Sequence, residues 1–354
     1  MENKIVLKDI NHLVSQVRYF EPFKNTTFLI TGSTGLLGSI LIKSLIKYGN
    51  IKVYACCRSI SKFMKIFEDY LCDNLIPIYS DVLSVDISTF DVDYIVHGAS
   101  ITDSKDFVEK PIETISIAID GTRNLLKQCK NKSIKGFVYL SSLEIYGIFN
   151  DVPGIKDVKE NEAGFIDCMA IRSSYSEGKR MTENICKAYQ SEYDIPVKVV
   201  RLCQTFGAGV AYNDNRVFAQ FARSIIENKD IVLKTKGETV RNYCYTTDAV
   251  SGILTVLAKG ENGEAYNIAN SETTISIAEM AKLFCTIYPD CKSKVVFDIA
   301  TDVSKLGYNP TVKIQLNSSK IMKLGWEPLV SFDDMCERLI KGMENESNRI
   351  IAKI

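Results

Sequence analysis

The chain has 354 residues, 46% of them hydrophobic, enough for one large or two modest domains around a sizeable core. Lys plus Arg and Asp plus Glu number 43 each, so the formal charge is zero, which argues against a broad nucleic-acid or anionic-membrane footprint and leaves room for a local basic pocket. Eleven Cys with no C-x-x-C pair predict reduced, mostly structural thiols in a cytoplasmic protein, and the two His (His12 and His97) leave a His-rich metal site without ligands, so no metal is expected.

No apolar run approaches a membrane span, and Met1 to Phe23 is charged throughout with no signal-peptide core. Ile5 to Phe20 carries apolar residues at Ile10, Leu13, Val14 and Val17, a helical spacing that Glu21-Pro22 ends. Residues 1–25 therefore read as an extra helix docked beside the first strand. Then an apolar run, Phe28-Leu29-Ile30-Thr31, meets Gly32-Ser33-Thr34-Gly35-Leu36-Leu37-Gly38. Three glycines spaced three apart, between a strand pattern and a helix pattern, predict a tight turn whose first helical N–H groups face an anion. Strand patterns follow at Lys52–Cys57, Leu75–Tyr79, Tyr94–His97, Gly136–Ser141 and Val197–Arg201, after the first at Thr27–Thr31. Helix patterns at Leu36–Tyr48, Ser61–Leu71, Pro111–Cys129 and Ser174–Tyr193 fall between them. That alternation implies α/β architecture, a Rossmann-type doubly wound parallel sheet over residues 26–201.

After Arg201 the rhythm breaks. Phe206-Gly207-Ala208-Gly209 reads as a loop, and Val217–Asn228, Tyr245–Ala258, Ser276–Tyr288 and Phe332–Glu344 as helices. Ser276 precedes Glu279 by three residues, the spacing of a capping box. Residues 202–354 are expected to form a smaller α/β substrate domain, closing over a crevice at the carboxyl ends of the strands. A late strand near 265–269 is placed to return to the main sheet.

Tyr175-Ser176-Glu177-Gly178-Lys179 puts a phenol and an ammonium one helical turn apart on one face. So close a cation is expected to lower the Tyr175 pKa and make a phenolate available near neutral pH. Ser142 follows the strand Phe137–Leu140, at the carboxyl end where such sheets bind ligands, and its hydroxyl can reach a substrate alcohol and the Tyr175 oxygen.

The loop Gly32/Gly35/Gly38, the run Tyr139-Leu140-Ser141-Ser142-Leu143-Glu144-Ile145-Tyr146-Gly147 and the pair Tyr175/Lys179 resemble the extended short-chain dehydrogenase/reductase family, in particular its nucleotide-sugar epimerases, dehydratases and decarboxylases. Arg172-Ser173-Ser174-Tyr175-Ser176-Glu177-Gly178-Lys179-Arg180 is similar to the corresponding segment of UDP-glucuronate decarboxylases, and the likeness runs on through Arg201–Gly207, Asn213–Val217, Arg241-Asn242-Tyr243 and Gly325-Trp326-Glu327-Pro328. The resemblance implies a nucleotide-diphosphate sugar oxidised at C4 by NAD, with Tyr175, Lys179, Ser142 and Glu144 in catalytic places. It implies cofactor contacts at Gly32, Thr34, Gly35, Leu36, Leu37, Gly38, Asp81, Val82, Gly98, Ala99, Ser100, Tyr175 and Lys179, and substrate contacts at Ser142, Gln204, Arg216 and Arg241, the two Arg as a diphosphate clamp. It also implies a homodimer through Pro111–Cys129 and Ser174–Tyr193, with Ile185 and Ala188 as contributors.

Four positions depart from the family pattern. Leu143 replaces the Asp with which many 4,6-dehydratases protonate a leaving hydroxyl, so the reading leans to decarboxylation, then epimerisation, then dehydration. Gln204 stands where Asn is usual, and Ala118 where Asn often precedes Gly121-Thr122. Cys57-Arg58 replaces the acidic residue that binds the adenosine ribose, and Arg58 makes NADP an option beside NAD. A net 4-keto reductase and a non-catalytic binding subunit complete the alternatives.

Overall fold

The computed structural model describes residues 3–149, 153–288, 292–300 and 311–351. Its first half runs α1 (Lys4–Ser15), β1 (Thr26–Thr31), α2 (Leu36–Tyr48), β2 (Ile51–Cys57), α3 (Ile60–Phe67), β3 (Leu75–Tyr79), β4 (Tyr94–His97), α4 (Asp106–Glu109), α5 (Pro111–Cys129) and β5 (Gly136–Ser142). Next come β6 (Lys156–Val158), α6 (Ser173–Tyr193), β7 (Val197–Leu202), β8 (Gln204–Phe206), α7 (Val217–Ile226), β9 (Ile231–Leu233), β10 (Val240–Tyr245) and α8 (Thr246–Lys259). The chain ends with β11 (Ala265–Ile268), β12 (Asn270–Ser276), α9 (Ile277–Ile287), β13 (Val295–Phe297), β14 (Ile314–Leu316), α10 (Ser319–Met322) and α11 (Phe332–Ile351).

The continuous apolar runs of β1, β2, β4 and β5 have the signature of strands covered on both faces. They assemble into a seven-stranded sheet in the order β3-β2-β1-β4-β5-β7-β11. Every pair in it is parallel. The strand order reverses between β1 and β4, which opens a crevice at their carboxyl ends, and ligands of doubly wound folds bind at such a point. The late strand β11 returns to this sheet beside β7, pairing Ala265 with Val199.

The rest of the C-terminal half builds a second core. Phe206, Phe218, Phe221, Tyr243, Phe284, Phe332 and Met335 pack together there, around a small sheet ordered β12-β10-β8. The capping box of α9 is present: Ser276 accepts from the Glu279 N–H, and the Glu279 carboxylate accepts from the Ser276 N–H.

Several boundaries differ from the sequence expectation by a few residues, and two of them show why. The N-terminal helix stops at Ser15, because Gln16 leaves helical geometry (φ −83°, ψ 68°) and two short 3-10 turns follow. Those turns carry Tyr19, Phe20 and Phe23 into the core, and their spacing near three suits a 3-10 turn as well as an α-helix. Tyr245 ends a strand rather than opening a helix, since Val240–Tyr245 pairs with β8 on one side and β12 on the other.

The described cysteines other than Cys285 carry free thiols, and most are buried. Among the described residues no helix is long and apolar enough to cross a membrane. None of their His, Cys, Asp and Glu side chains cluster in a group able to hold a metal ion.

Candidate active site

The turn after β1 is dictated sterically. Gly32 has φ +69°, and a Cβ there would lie 2.6 Å from the Gly98 carbonyl oxygen; a Cβ on Gly38 would lie 2.3 Å from the Gly32 oxygen. Side chains at either place would push α2 off the β1 and β4 loops. Gly35 is the N-cap of α2, and no side chain caps that helix. The first-turn N–H groups of Leu36, Leu37 and Gly38 thus combine with the helix dipole at the sheet's switch point, and Thr34 lies half-buried beside them. This uncapped cradle fits the pyrophosphate of a dinucleotide.

The residues around it are tightly tied. Ser33 Oγ donates to the Cys56 carbonyl at 2.7 Å. Gly98 N donates to the Thr31 carbonyl at 3.2 Å, Ala99 N donates to Thr31 Oγ1 at 3.2 Å, and Ser100 Oγ donates to the Ile101 carbonyl. His97 fills the space behind: Thr122 Oγ1 donates to the Ala118 carbonyl, so it accepts from His97 Nε2–H, and His97 Nδ1 then accepts from Thr31. Burial, with the Lys179 charge adding, lowers the imidazole to about 3, so His97 is a neutral, fully satisfied core residue. Asp81 Oδ1 accepts from the Leu83 N–H, and Val82 is buried against Gly121. Arg58, directly after β2, has a side chain 68% exposed and 4.0 Å from Glu113.

Across the crevice, β5 delivers Ser142 and α6 delivers Tyr175. Ser142 closes β5 in register with Leu202 of β7, and its Oγ accepts from the Glu144 N–H at 3.2 Å. The Ser142 hydroxyl lies close enough to Tyr175 to favour its phenolate, and the Tyr175 ring lies face to face on Phe107 of α4, ring centroids 4.2 Å apart and planes within 10°. Burial pushes the phenol well above its usual value, the Glu144 charge pushes it further, and the Ser142 hydroxyl and Arg172 charge oppose both.

Here the structure corrects the expectation that Lys179 lowers the Tyr175 pKa. Lys179 Nζ donates to the Leu140 carbonyl at 2.7 Å, and sits 4.6 Å from the Tyr139 ring centroid but 5.8 Å from that of Tyr175. The strand carbonyl claims the ammonium, and helical spacing alone carries no information about that competitor. Burial lowers Lys179 to about 7, against the upward pull of Glu183. Between that value and the unfolded 10.5 the unfolded chain binds the extra proton, so this group's effect is to make stability rise with pH across the window and be poorest below it. Lys179→Met is therefore expected to stabilise the fold at about pH 6 and to lose that advantage by about pH 10, as urea midpoints at the two pH values will show.

Glu144 is not a solvated carboxylate. Arg172 grips it with both terminal nitrogens, at 2.9 and 3.2 Å, and Ser176 Oγ donates to it at 3.4 Å. Arg172 also lies over the Phe107 ring, 5.4 Å from its centroid. Phe107 and Arg172 were not among the sequence candidates. Arg172 had a signal, its place one helical turn ahead of Tyr175; Phe107 had none, being nearly seventy residues away in the chain.

On the substrate side, Gln204 opens β8 opposite Tyr243. Arg241 lies on β10, and its Nε is buried with no hydrogen-bond partner, a donor left for an incoming anion. Arg216 is engaged by its own neighbour: Asp214 accepts its guanidinium at 2.6 to 3.1 Å. Burial raises Asp214, but the hydrogen bonds and charge of Arg216 outweigh it and hold the carboxyl below its usual value. A diphosphate clamp made with Arg216 must compete with that pair.

The model of the NAD-dependent epimerase/dehydratase family matches residues 28–269. UDP-glucuronic acid decarboxylase 1 of Danio rerio is 26% identical over 331 residues, 93% of this chain and 75% of the relative. UDP-glucuronic acid decarboxylase 6 of Arabidopsis thaliana is 25% identical over 86% of this chain and 85% of the relative. The fold is shared with UDP-glucuronic acid 4-epimerase from Bacillus cereus, solved with UDP-glucuronic acid and NAD (TM-score 0.77, 22% identity, 90% of this chain and 99% of that one). It is shared as well with dTDP-glucose 4,6-dehydratase from Streptomyces venezuelae (TM-score 0.75, 20% identity, 91% and 98%).

Proposed function

Because the chain belongs to the NAD-dependent epimerase/dehydratase family, we propose that it oxidises a nucleotide-diphosphate sugar at C4 to a 4-keto intermediate with a retained nicotinamide cofactor. The observation that carries this reading is the meeting of Tyr175 and Ser142 at the carboxyl end of β5, across the switch point from the uncapped α2. Bound nicotinamide supplies the acceptor for the C4 hydride and the donor that returns it. The protein's own part is positional and acid–base: Ser142 orients the sugar 4-hydroxyl, Tyr175 in its phenolate form accepts its proton, and Lys179 holds the β5 carbonyl beneath. Arg241 meets the diphosphate through its unsatisfied Nε. In this reading α5 and α6, packed on each other, form the face of a homodimer.

Decarboxylation of a UDP-glucuronate-like substrate is the first outcome to test. Leu143 cannot donate the proton that expels a hydroxyl, and the similar decarboxylases span most of this chain. Incubation with UDP-, dTDP-, CDP- and GDP-sugars, followed by mass spectrometry, is expected to show loss of carbon dioxide. An unchanged mass with inverted C4 makes the chain an epimerase, loss of water a dehydratase, and no change in any sugar removes the assignment.

One observation favours a second reading, a net reductase of a 4-keto sugar that draws on NADPH. Arg58 presents an exposed guanidinium after β2, and Ser59 and Ser61 stand beside it, their hydroxyls 3.0 Å apart. Such a turn suits a ribose 2′-phosphate better than a free ribose hydroxyl. Purified protein that carries NAD supports the first reading; NADPH consumption with a keto sugar supports the second.

A further inference from the structure

We propose that Arg172 is a positioning residue that sets the acidity of Tyr175, by pairing Glu144 beside it and by bracing Phe107 against its ring. This rests on Tyr175 being the proton-transfer group of the reading above. The geometry comes first. Arg172 immediately precedes α6 and spends both terminal nitrogens on Glu144, so its plane is fixed. The same guanidinium lies over Phe107, and Phe107 lies flat on Tyr175. Ser174 Oγ donates to the Phe107 carbonyl at 2.9 Å, tying the main chain of α4 to the residue before Tyr175. Only 19% of the Arg172 side chain and 11% of Glu144 meets solvent, so neither charge is well screened by water.

The charged groups around Tyr175 can be followed element by element. From the turn after β5 comes Glu144, whose carboxylate opposes a phenolate. From the start of α6 comes Arg172, which favours one. Farther along α6, Lys179 is spent on the Leu140 carbonyl, and Glu183 is paired with Arg201. From β5 come Ser142, whose hydroxyl favours a phenolate, and the neutral phenol of Tyr139. On α4, Asp106 and Glu109 pair with Lys110 and Lys105. Where α5 meets α6 at Gly178 the contact is the methyl of Ala118. The balance at Tyr175 thus falls to Glu144 and Arg172. Together they are nearly neutral; remove either and the other's charge at the phenol is no longer offset by it.

The test reads ionisation directly, without turnover. Difluorotyrosine placed at position 175 lowers the phenol's intrinsic pKa into an accessible range and gives a single 19F signal to titrate in the full-length protein. Arg172→Gln is expected to raise the midpoint by about two pH units and Glu144→Gln to lower it by a similar amount, the effect of a unit charge about 6 Å away at an effective dielectric near 20. Arg172→Lys and the double Arg172→Gln/Glu144→Gln variant are expected to return close to wild type. If Arg172→Gln fails to fold, Glu144→Gln and Arg172→Lys still decide. Midpoints unmoved by the loss of either charge overturn the proposal and leave the pair a structural tie. If no nucleotide sugar is turned over, the reading of function fails while the titration still gives its answer.

Discussion

Tyr175→Phe is expected to lower kcat/KM by about 10²–10⁴-fold, the range associated with a positioned proton-transfer group. The argument runs through the site's packing. The phenol oxygen is the polar part of a side chain otherwise sandwiched on Phe107, so Phe at this position keeps the stack and the fold. What it loses is the acceptor proposed for the sugar hydroxyl proton, beside the Ser142 hydroxyl. Affinity for the nucleotide sugar is expected to survive, because Arg241, the diphosphate contact proposed above, lies on β10, away from α6. Loss of kcat with an unmoved dissociation constant is the pattern sought; undiminished activity in this variant removes Tyr175 from the chemistry.

Arg201→Met is expected to destabilise the fold by about 3–5 kcal/mol, the cost of leaving a buried carboxylate without its partner. Arg201 and Glu183 are each only 12% exposed, and three hydrogen bonds of 2.7 to 3.1 Å join them. The pair is the hub of a network under the site. Ser141 Oγ donates to Glu183, Arg201 donates to Tyr146 Oη at 2.9 Å and to the Glu160 carbonyl at 2.7 Å, and Tyr146 Oη donates to Asn267 at 2.7 Å. It therefore links β5, α6, β7 and β11 directly behind Ser142. Most of the loss is expected from the abandoned charge, so Glu183→Leu/Arg201→Met should recover a large part of it. Urea unfolding of the single and double variants checks this; equal losses in both would mean that the ion pair itself, and not its rupture, carries the stability.

Legibility in the chain followed the range of the forces involved. β3, β4, α2 and α5 appear at the bounds that periodicity and flanking turn residues predicted. Each is specified locally, by an apolar run or face with glycine, asparagine or proline beside it. The short strands β6, β9, β13 and β14 left no such trace. They have three residues each, and pairing with distant segments makes them strands: Ile314 with Lys156, Val295 with Ile231. β10 escaped for a related reason, since its Arg241 and Asn242 break the apolar alternation. Asn242 is buried because it exchanges hydrogen bonds with the main chain of Leu316.

The site divides the same way. Its glycine loop, Ser142 and the Tyr175/Lys179 spacing were readable, because each is a short-range pattern tied to one turn or one helix face. The electrostatics were not. The partners of the titrating groups come from elsewhere in the chain: Leu140 for Lys179, Phe107 for the Tyr175 ring. Sequence by itself determined the doubly wound architecture and the glycine turn at its switch point, since turn sterics and hydrophobic period act over a few residues, and its motifs carried the resemblance to the family. Only the tertiary structure decided which ammonium faces which oxygen, that Glu144 is held by Arg172, and that Arg216 is held by Asp214. Charge interactions fall off with distance and burial, and folding alone sets both.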